Sequence, residues 1–180
     1  MFELAVNEHV TLRMRDESYA KETFWLIKKN ESHLRPWMKW IDKVVSLQDS
    51  IANIELNIEE WEMKTDLHLG ILSEDRMVGM ISLYHIDYLN HTAYIGYWLD
   101  KDNVGKGIMT DSVRAVIEYG YAELELNRIE IRAGTENVKS RAIPERLGFK
   151  YEGTIREAEY VNGEFIDLAI YGLLRSEYRA

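Results

Sequence analysis

The hydrophobic period of this chain changes near Leu67, and that change restricts the available folds more than any other feature. Before it, apolar residues recur every three or four positions: Ala20, Phe24 and Ile27; then Leu34, Trp37, Met38 and Ile41; then Leu47, Ile51, Ile54, Ile58 and Trp61. Stripes of this kind put one apolar face on a helix. Asp16 and Ser18 are candidate caps for the first helix, and a break near Pro36 separates it from two more. After Leu67 the period is two. Residues 67–72, 77–84 and 93–99 read as strands joined by Ser73-Glu74-Asp75 and by a polar turn around Asn90, an antiparallel meander. An earlier strand is read from the alternation of residues 1–15, where Val10, Leu12 and Met14 have polar neighbours.

Beyond the meander, a loop over residues 102–107 opens a helix with the apolar face Val113, Val116, Ile117 and Tyr121, and a strand follows at Ile129, Ile131 and Ala133. A short helix near residues 140–147 contains Pro144. Proline there removes a donor and crowds the carbonyl of Ser140, which predicts a break or kink. The last two strands flank Asn162-Gly163, a dipeptide suited to a type I′ hairpin because both residues tolerate positive φ. These elements predict an α/β (α+β) chain: a mixed, mostly antiparallel twisted sheet of about seven strands flanked by helices. With 180 residues, 46% of them hydrophobic, it can bury one substantial core. One domain over residues 1–180, with a core at about 8–175 and one site, is expected.

Several classes of function are set aside by composition. No apolar run reaches the roughly 20 residues that cross a bilayer, and residues 1–15 lack the charged head and apolar block of a leader. A soluble, cytoplasmic protein without membrane contact is therefore expected. Cysteine is absent, which excludes disulfides, thiolate metal sites and a cysteinyl acyl-enzyme. Five histidines show no His-x-His or His-Glu-x-x-His spacing, so no metal is predicted. A formal charge of -9 repels nucleic-acid phosphates. Residues 101–150 nevertheless hold nine Lys or Arg against eight Asp or Glu, a local +1 that leaves -10 elsewhere. An anionic ligand belongs there if anywhere, although chance composition accounts for the same figures.

The segment from Tyr97 to Thr110 is a strand, a glycine loop and a helix start in succession. Helix N-termini expose backbone donors, and glycines let those amides wrap a phosphate, so a pyrophosphate is the natural ligand. Gly105-Lys106 is not followed by Ser or Thr, which excludes a Walker loop. Thr110 occupies the third-glycine position of a dinucleotide fingerprint. Taken alone, Gly-x-Gly also fits an ordinary strand-to-helix turn.

A second segment, residues 135–149, follows the strand at 128–133, and together the two resemble motifs A and B of the GNAT acetyltransferases. The order of elements is similar to that fold from about residue 8 to residue 175. The resemblance implies that acetyl-CoA is the cosubstrate. It assigns the pyrophosphate to the amides of Val104, Gly105, Lys106, Gly107, Ile108, Met109 and Thr110. The pantetheine arm falls to Tyr97, Trp98 and Leu99, which it joins as an added strand. Val104 stands where Arg or Gln is usual and Met109 where Gly or Ala is usual; as both contacts are largely backbone, binding is expected to survive. Residues 137–149 and 155–162 look like the RimJ/RimL branch, which acetylates α-amino groups of ribosomal proteins. In that branch an Asn contacts coenzyme A, a Ser lies by the thioester sulfur and a Glu serves as base. The matching residues here are Asn137, Ser140 and Glu159.

An amine must lose a proton before its lone pair attacks a thioester, and Glu159 is the candidate acceptor of that proton, directly or through water. An exposed strand carboxylate is the plainer reading. A strand amide near Leu99 is a candidate for stabilising the oxyanion, and Ser140 for a hydrogen bond to the departing thiolate. No His or Asp forms a recognisable triad with Ser140, and a helix cap is its alternative role. Trp25, Trp37 and Trp40 either line an acceptor groove or pack in the core. The acidic run Glu55, Glu59, Glu60, Glu62 and Asp66 either attracts a cation or is a solvated helix face. The implied acceptor is a protein N-terminus. A polyamine or aminoglycoside acetyltransferase and a non-catalytic acyl-CoA-binding module remain open. A homodimer is expected from the 11 Tyr, 5 Trp and 4 Phe.

Overall fold

The computed structural model describes residues 2–179. Its strands are β1 (Glu3–Ala5), β2 (Val10–Met14), β3 (Leu67–Ser73), β4 (Arg76–Asp87), β5 (Thr92–Leu99), β6 (Arg128–Gly134), β7 (Lys150–Val161) and β8 (Glu164–Leu174). The α-helices are α1 (Ala20–Leu34), α2 (Leu47–Glu62), α3 (Ile108–Ala122) and α4 (Val138–Arg146). All eight strands form one sheet, in the order β1-β2-β3-β4-β5-β6-β8-β7. There is one strand more than the sequence predicts. The alternating run at the start is folded on itself, because the Asn7 Oδ1 accepts the N–H groups of His9 (2.9 Å) and Val10 (3.0 Å) and turns β1 back along β2. The second of the three early helices is also replaced. α1 ends at Leu34, and between Pro36 and the start of α2 only a 3₁₀ turn, Ile41–Lys43, is helical.

Side chains alternate across the sheet as the pleat requires. Val78 and Leu99 join the core under α3, together with Val113, Val116, Ile117 and Tyr121. Their neighbours Met77 and Trp98 face the other way and pack with Leu26, Ile27, Leu34 and Ile41. α1 and α2 thus cover one face, while α3 and α4 cover the other. Ser46 and Asp49 form a capping box that starts α2. At the last hairpin Asn162 and Gly163 have φ of 50° and 88°, the backbone of the predicted turn.

One feature of the sheet creates the site. β5 and β6 are parallel neighbours, but they pair only from Thr92 with Arg128 to Ile95 with Ile131. Beyond that point Gly96–Leu99 stay with β4 and Arg132–Gly134 stay with β8, so the two strands part and leave a wedge.

Candidate active site

β5 leads from the wedge into the glycine loop. The Asp100 N–H donates to the Val78 carbonyl at 2.7 Å, so this residue points toward β4. Counting back by the two-residue period of a strand, Trp98 and Gly96 also turn to β4, and the peptide groups of Tyr97 and Leu99 face the wedge. Of the three residues predicted to pair with a pantetheine arm, two therefore offer backbone. Trp98 instead offers its ring, whose centroid is 6.3 Å from that of Trp40.

In the loop, Gly105 and Gly107 have φ of 85° and 82°. A β-carbon at Gly105 would meet nothing within 4 Å, so backbone conformation and not crowding calls for glycine. Gly107 is the N-cap of α3 and has no side chain to cap it, and the first helix bond there runs from the Asp111 N–H to the Gly107 carbonyl. The N–H groups of Ile108, Met109 and Thr110 therefore have no helix acceptor and are left for a ligand. The side chains of Ile108 and Met109 are buried and anchor this turn. Val104 is exposed, Lys106 reaches back to the Asn103 Oδ1 at 3.0 Å, and the Thr110 hydroxyl accepts from Arg146 on α4 at 3.3 Å. α1 fixes the loop entry: Lys29 Nζ donates to Asp100 Oδ2 (2.8 Å), and Asn30 Oδ1 accepts from the Lys101 N–H (2.9 Å). Burial by itself would raise the Asp100 carboxyl, but the bonds from Lys29 and Asn30 hold it below its ordinary range.

The wedge opens into a cavity of about 1090 Å³. Tyr97, Trp98, Asn137, Ser140 and Glu159 all line it, whereas residues 104–110 do not. The site residues thus fall into two groups, joined by β5. Asn137 is the N-cap of α4, its side chain accepting from the Ser140 N–H at 3.2 Å. Ser140 is therefore not the cap. Of the break or kink predicted at Pro144, the break does not occur, as α4 is continuous through it. A nine-residue helix is too short to be stable alone. This one is held by Arg141, which donates to the Tyr171 hydroxyl (2.9 Å) and the Thr135 carbonyl (2.8 Å), and by a bond from that hydroxyl to Glu145 (2.7 Å).

Glu159 reaches the cavity by way of a β-bulge. Between the pairs Ile155 with Leu168 and Glu159 with Ile166, three residues of β7 stand opposite one of β8, Asp167. Glu157 takes φ of 49° there, and its N–H donates to Asp167 Oδ1 at 2.8 Å. Bulges of this kind re-aim the side chains beside them. The Glu159 carboxylate accepts from Lys39 Nζ at 3.3 Å, and 31% of its side chain is exposed.

Trp37 and Trp40 line the cavity, while Trp25 lies outside it, 61% exposed beside Phe24. None of the acidic run from Glu55 to Asp66 borders it. Sequence reasoning missed Lys39, the pair Tyr84 and Tyr94 with Arg132 over the Tyr94 ring (5.0 Å), and a polar end built on His68. His68 bonds Ser82 Oγ (2.6 Å) and Glu60 (3.1 Å), and burial keeps its imidazole below the usual histidine range despite Glu60. The facing register of His68 and Ser82 on β3 and β4 was the available signal. Among the described residues no group of three His, Cys, Asp or Glu is placed to hold a metal, and no helix is long and apolar enough to cross a membrane.

A family model described as an acetyltransferase (GNAT) domain matches residues 9–150. YdaF of Bacillus subtilis (strain 168) is 40% identical over 99% of this chain and 98% of its own. The microcin C7 self immunity acetyltransferase MccE, solved in complex with acetyl-CoA and AMP, is 35% identical over 94% of each chain, with a TM-score of 0.90. RimL, a ribosomal L7/L12 alpha-N-protein acetyltransferase solved with coenzyme A, is 29% identical over 96% of this chain and 98% of its own, with a TM-score of 0.93. A strand splayed beside a glycine loop and a match across most of the chain lead to one family: this chain belongs to the GNAT acetyltransferases and is an acetyl-CoA-dependent N-acetyltransferase.

Proposed function

We propose that the acceptor is the α-amino group of a protein N-terminus, a ribosomal protein in the first instance, and that the acetyl group passes to it by direct attack in a ternary complex. The whole chain acts as one domain, in the cytoplasm, without contact to nucleic acid or membrane. The observation that carries this reading is that Glu159 on β7 and Ser140 on α4 border one cavity. The likeness to RimL supports the choice of acceptor.

The amides of Val104 to Thr110 would hold the pyrophosphate, and the free peptide groups of Tyr97 and Leu99 the pantetheine arm, with Asn137 beside it. The Leu99 amide also suits a developing oxyanion. Glu159 already binds a primary ammonium, that of Lys39. Lys39 is 64% exposed, so the pair is worth only about 0–1 kcal/mol and is readily exchanged for an incoming substrate amine. Glu159 then takes the ammonium proton. The Ser140 hydroxyl donates a hydrogen bond to the departing sulfur; with a pKa far above neutrality it stabilises the thiolate and does not act as a nucleophile. Holding amine and thioester together supplies most of the acceleration.

The cavity's charges favour a peptide over a polyamine. Only Asp49, Asp87 and Glu159 among its lining residues carry carboxylates. Asp49 is occupied by the Val45 and Ser46 amides, and Asp87 by Leu89 and Asn90. That leaves one exchangeable carboxylate for one ammonium, while Lys43 adds a positive charge to the cavity lining and Arg132 is already paired with Glu130 at 2.6 Å. Incubation with acetyl-CoA and a panel of ribosomal N-terminal peptides, polyamines and aminoglycosides, read by mass spectrometry, tests the reading. Acetylation of a peptide α-amine is expected; turnover confined to polyamines or aminoglycosides would reject it.

A further inference from the structure

Pro144 leaves the Ser140 carbonyl without the donor that a helix supplies four residues on. The vacancy is filled from another element: the Tyr97 hydroxyl, on β5, donates to the Ser140 carbonyl at 2.9 Å. The same phenol oxygen lies 3.4 Å from Ser140 Oγ, close enough to accept from it. The Ser140 N–H is bonded to Asn137. All three polar atoms of Ser140 are thus held, two of them by Tyr97. Carbonyl and hydroxyl bonds differ in length in a useful way. The 3.4 Å contact is weak enough to be given up when the serine turns to a leaving sulfur, while the 2.9 Å bond keeps the helix turn in place.

We propose that Tyr97 is a positioning residue for acetyl transfer: its hydroxyl replaces the helix bond forfeited at Pro144 and so sets where Ser140 presents its own hydroxyl to the wedge. The inference rests on the role proposed above for Ser140. Tyr97 belongs to the strand whose backbone faces the wedge, so one residue ties the frame of the thioester to the helix carrying Ser140. Burial pushes its phenol well above the ordinary range, which keeps it a donor throughout any practical assay pH.

The geometry sets up a rescue. Pro144→Ala returns an N–H in reach of the Ser140 carbonyl, so a chain with that change no longer needs the phenol. Turnover is measured with acetyl-CoA and the fastest peptide of the panel, well below each variant's melting midpoint. Tyr97→Phe should lower kcat about tenfold, the consequence of leaving one polar group unpaired, with the KM for acetyl-CoA within about twofold. Pro144→Ala alone should stay within about twofold of wild type. Tyr97→Phe combined with Pro144→Ala should recover to within about threefold of Pro144→Ala. Either of two results overturns the proposal: a Tyr97→Phe enzyme with normal kcat, which shows that the hydroxyl is not needed, or failure of the rescue in an impaired one, which points to direct proton donation or packing. Ser140→Ala separates the two levels. If it leaves turnover unchanged, the role of Ser140 fails and the positioning of it fails too. If Ser140→Ala is impaired and Tyr97→Phe is not, only the positioning fails. Adding Tyr97→Phe to Ser140→Ala should cost nothing further.

Discussion

Replacing Lys29 by Met tests whether α1 holds the phosphate loop in place. Lys29 Nζ bonds both Asp100 Oδ2 (2.8 Å) and Asp102 Oδ2 (2.6 Å). The two ends of the first pair differ in environment: the Asp100 side chain is 5% exposed, that of Lys29 44%. Breaking a fully buried pair costs about 3–5 kcal/mol and an exposed one about 0–1. With one end in water, and Asn103 Nδ2 still 3.1 Å from the carboxylate, about 2 kcal/mol is expected. For a chain of this size that lowers the melting midpoint by about 4–8 °C. Since the loop must then be ordered by its ligand, the KM for acetyl-CoA should rise about fivefold, equivalent to roughly 1 kcal/mol.

The sign of the pH dependence follows from Asp100. Its folded carboxyl lies below the unfolded value of about 3.9. A depressed carboxylate stabilises fully above the unfolded value, and its contribution fades as pH falls from there through the folded one. The wild-type advantage over Lys29→Met should therefore be complete at pH 7 and smaller below about pH 4. Melting curves at both pH values and initial rates at varied acetyl-CoA check the chain of reasoning. A difference under about 1 °C at pH 7, or one unchanged at low pH, would show that the clamp is not electrostatic.

Gly107→Val forces a β-branched residue to a φ of 82°, so thermal protection by acetyl-CoA should vanish; persistence of that protection would mean the loop does not cradle the pyrophosphate. Glu159→Gln should lower turnover about 10²- to 10⁴-fold at neutral pH with acetyl-CoA affinity little changed, and the defect should shrink at high pH where the acceptor amine is already neutral. Ser140→Ala acts at thiolate departure, so its defect should persist across the same range; a labelled acetyl group retained on Ser140 without acceptor would overturn direct transfer. A homodimer covering the exposed Tyr151, Tyr160 and Phe165 of the β7–β8 edge is proposed, and light scattering that finds only monomer at micromolar concentration would reject it.

What the sequence made legible is what repeats. The stripes of α2 and α3 and the alternation of β3 to β5 are each carried by many residues, so one unusual neighbour does not hide them. Asn162-Gly163 was legible for a different reason, since a turn needing two positive φ values accepts few dipeptides. The turn at Asn7 was hidden because one side-chain oxygen, not a glycine or proline, reverses the chain. The stripe through Trp37 and Ile41 misled in the opposite direction. Its spacing suits a helix, yet Ile41 enters the core while Trp37 and Trp40 face the cavity.

The limits are sharper at the site, where function depends on exceptions to regular structure. The bulge that brings Glu159 to the cavity turns on Glu157 at positive φ, a conformation that glutamate rarely adopts and that no local spacing announces. Its stabiliser, Asp167, comes from the next strand, and the ammonium on Glu159 comes from Lys39, 120 positions away in sequence. Pro144 was legible as a residue that removes a donor, but its consequence was not: a break or kink was predicted, whereas the helix is continuous and Tyr97 supplies the missing bond across 43 positions. The positive φ of Glu157 and the proline inside α4 each violate a local rule, and each is compensated by a side chain from another element. Such compensation joins the wedge, α4 and the bulge into one site, because a strained or unpaired group in one element persists only while the other stays in place. The elements follow from periodicity, but their assembly around the acetyl group follows from the exceptions, which is why the Tyr97 and Pro144 pair is a more searching test of this site than any single loop residue.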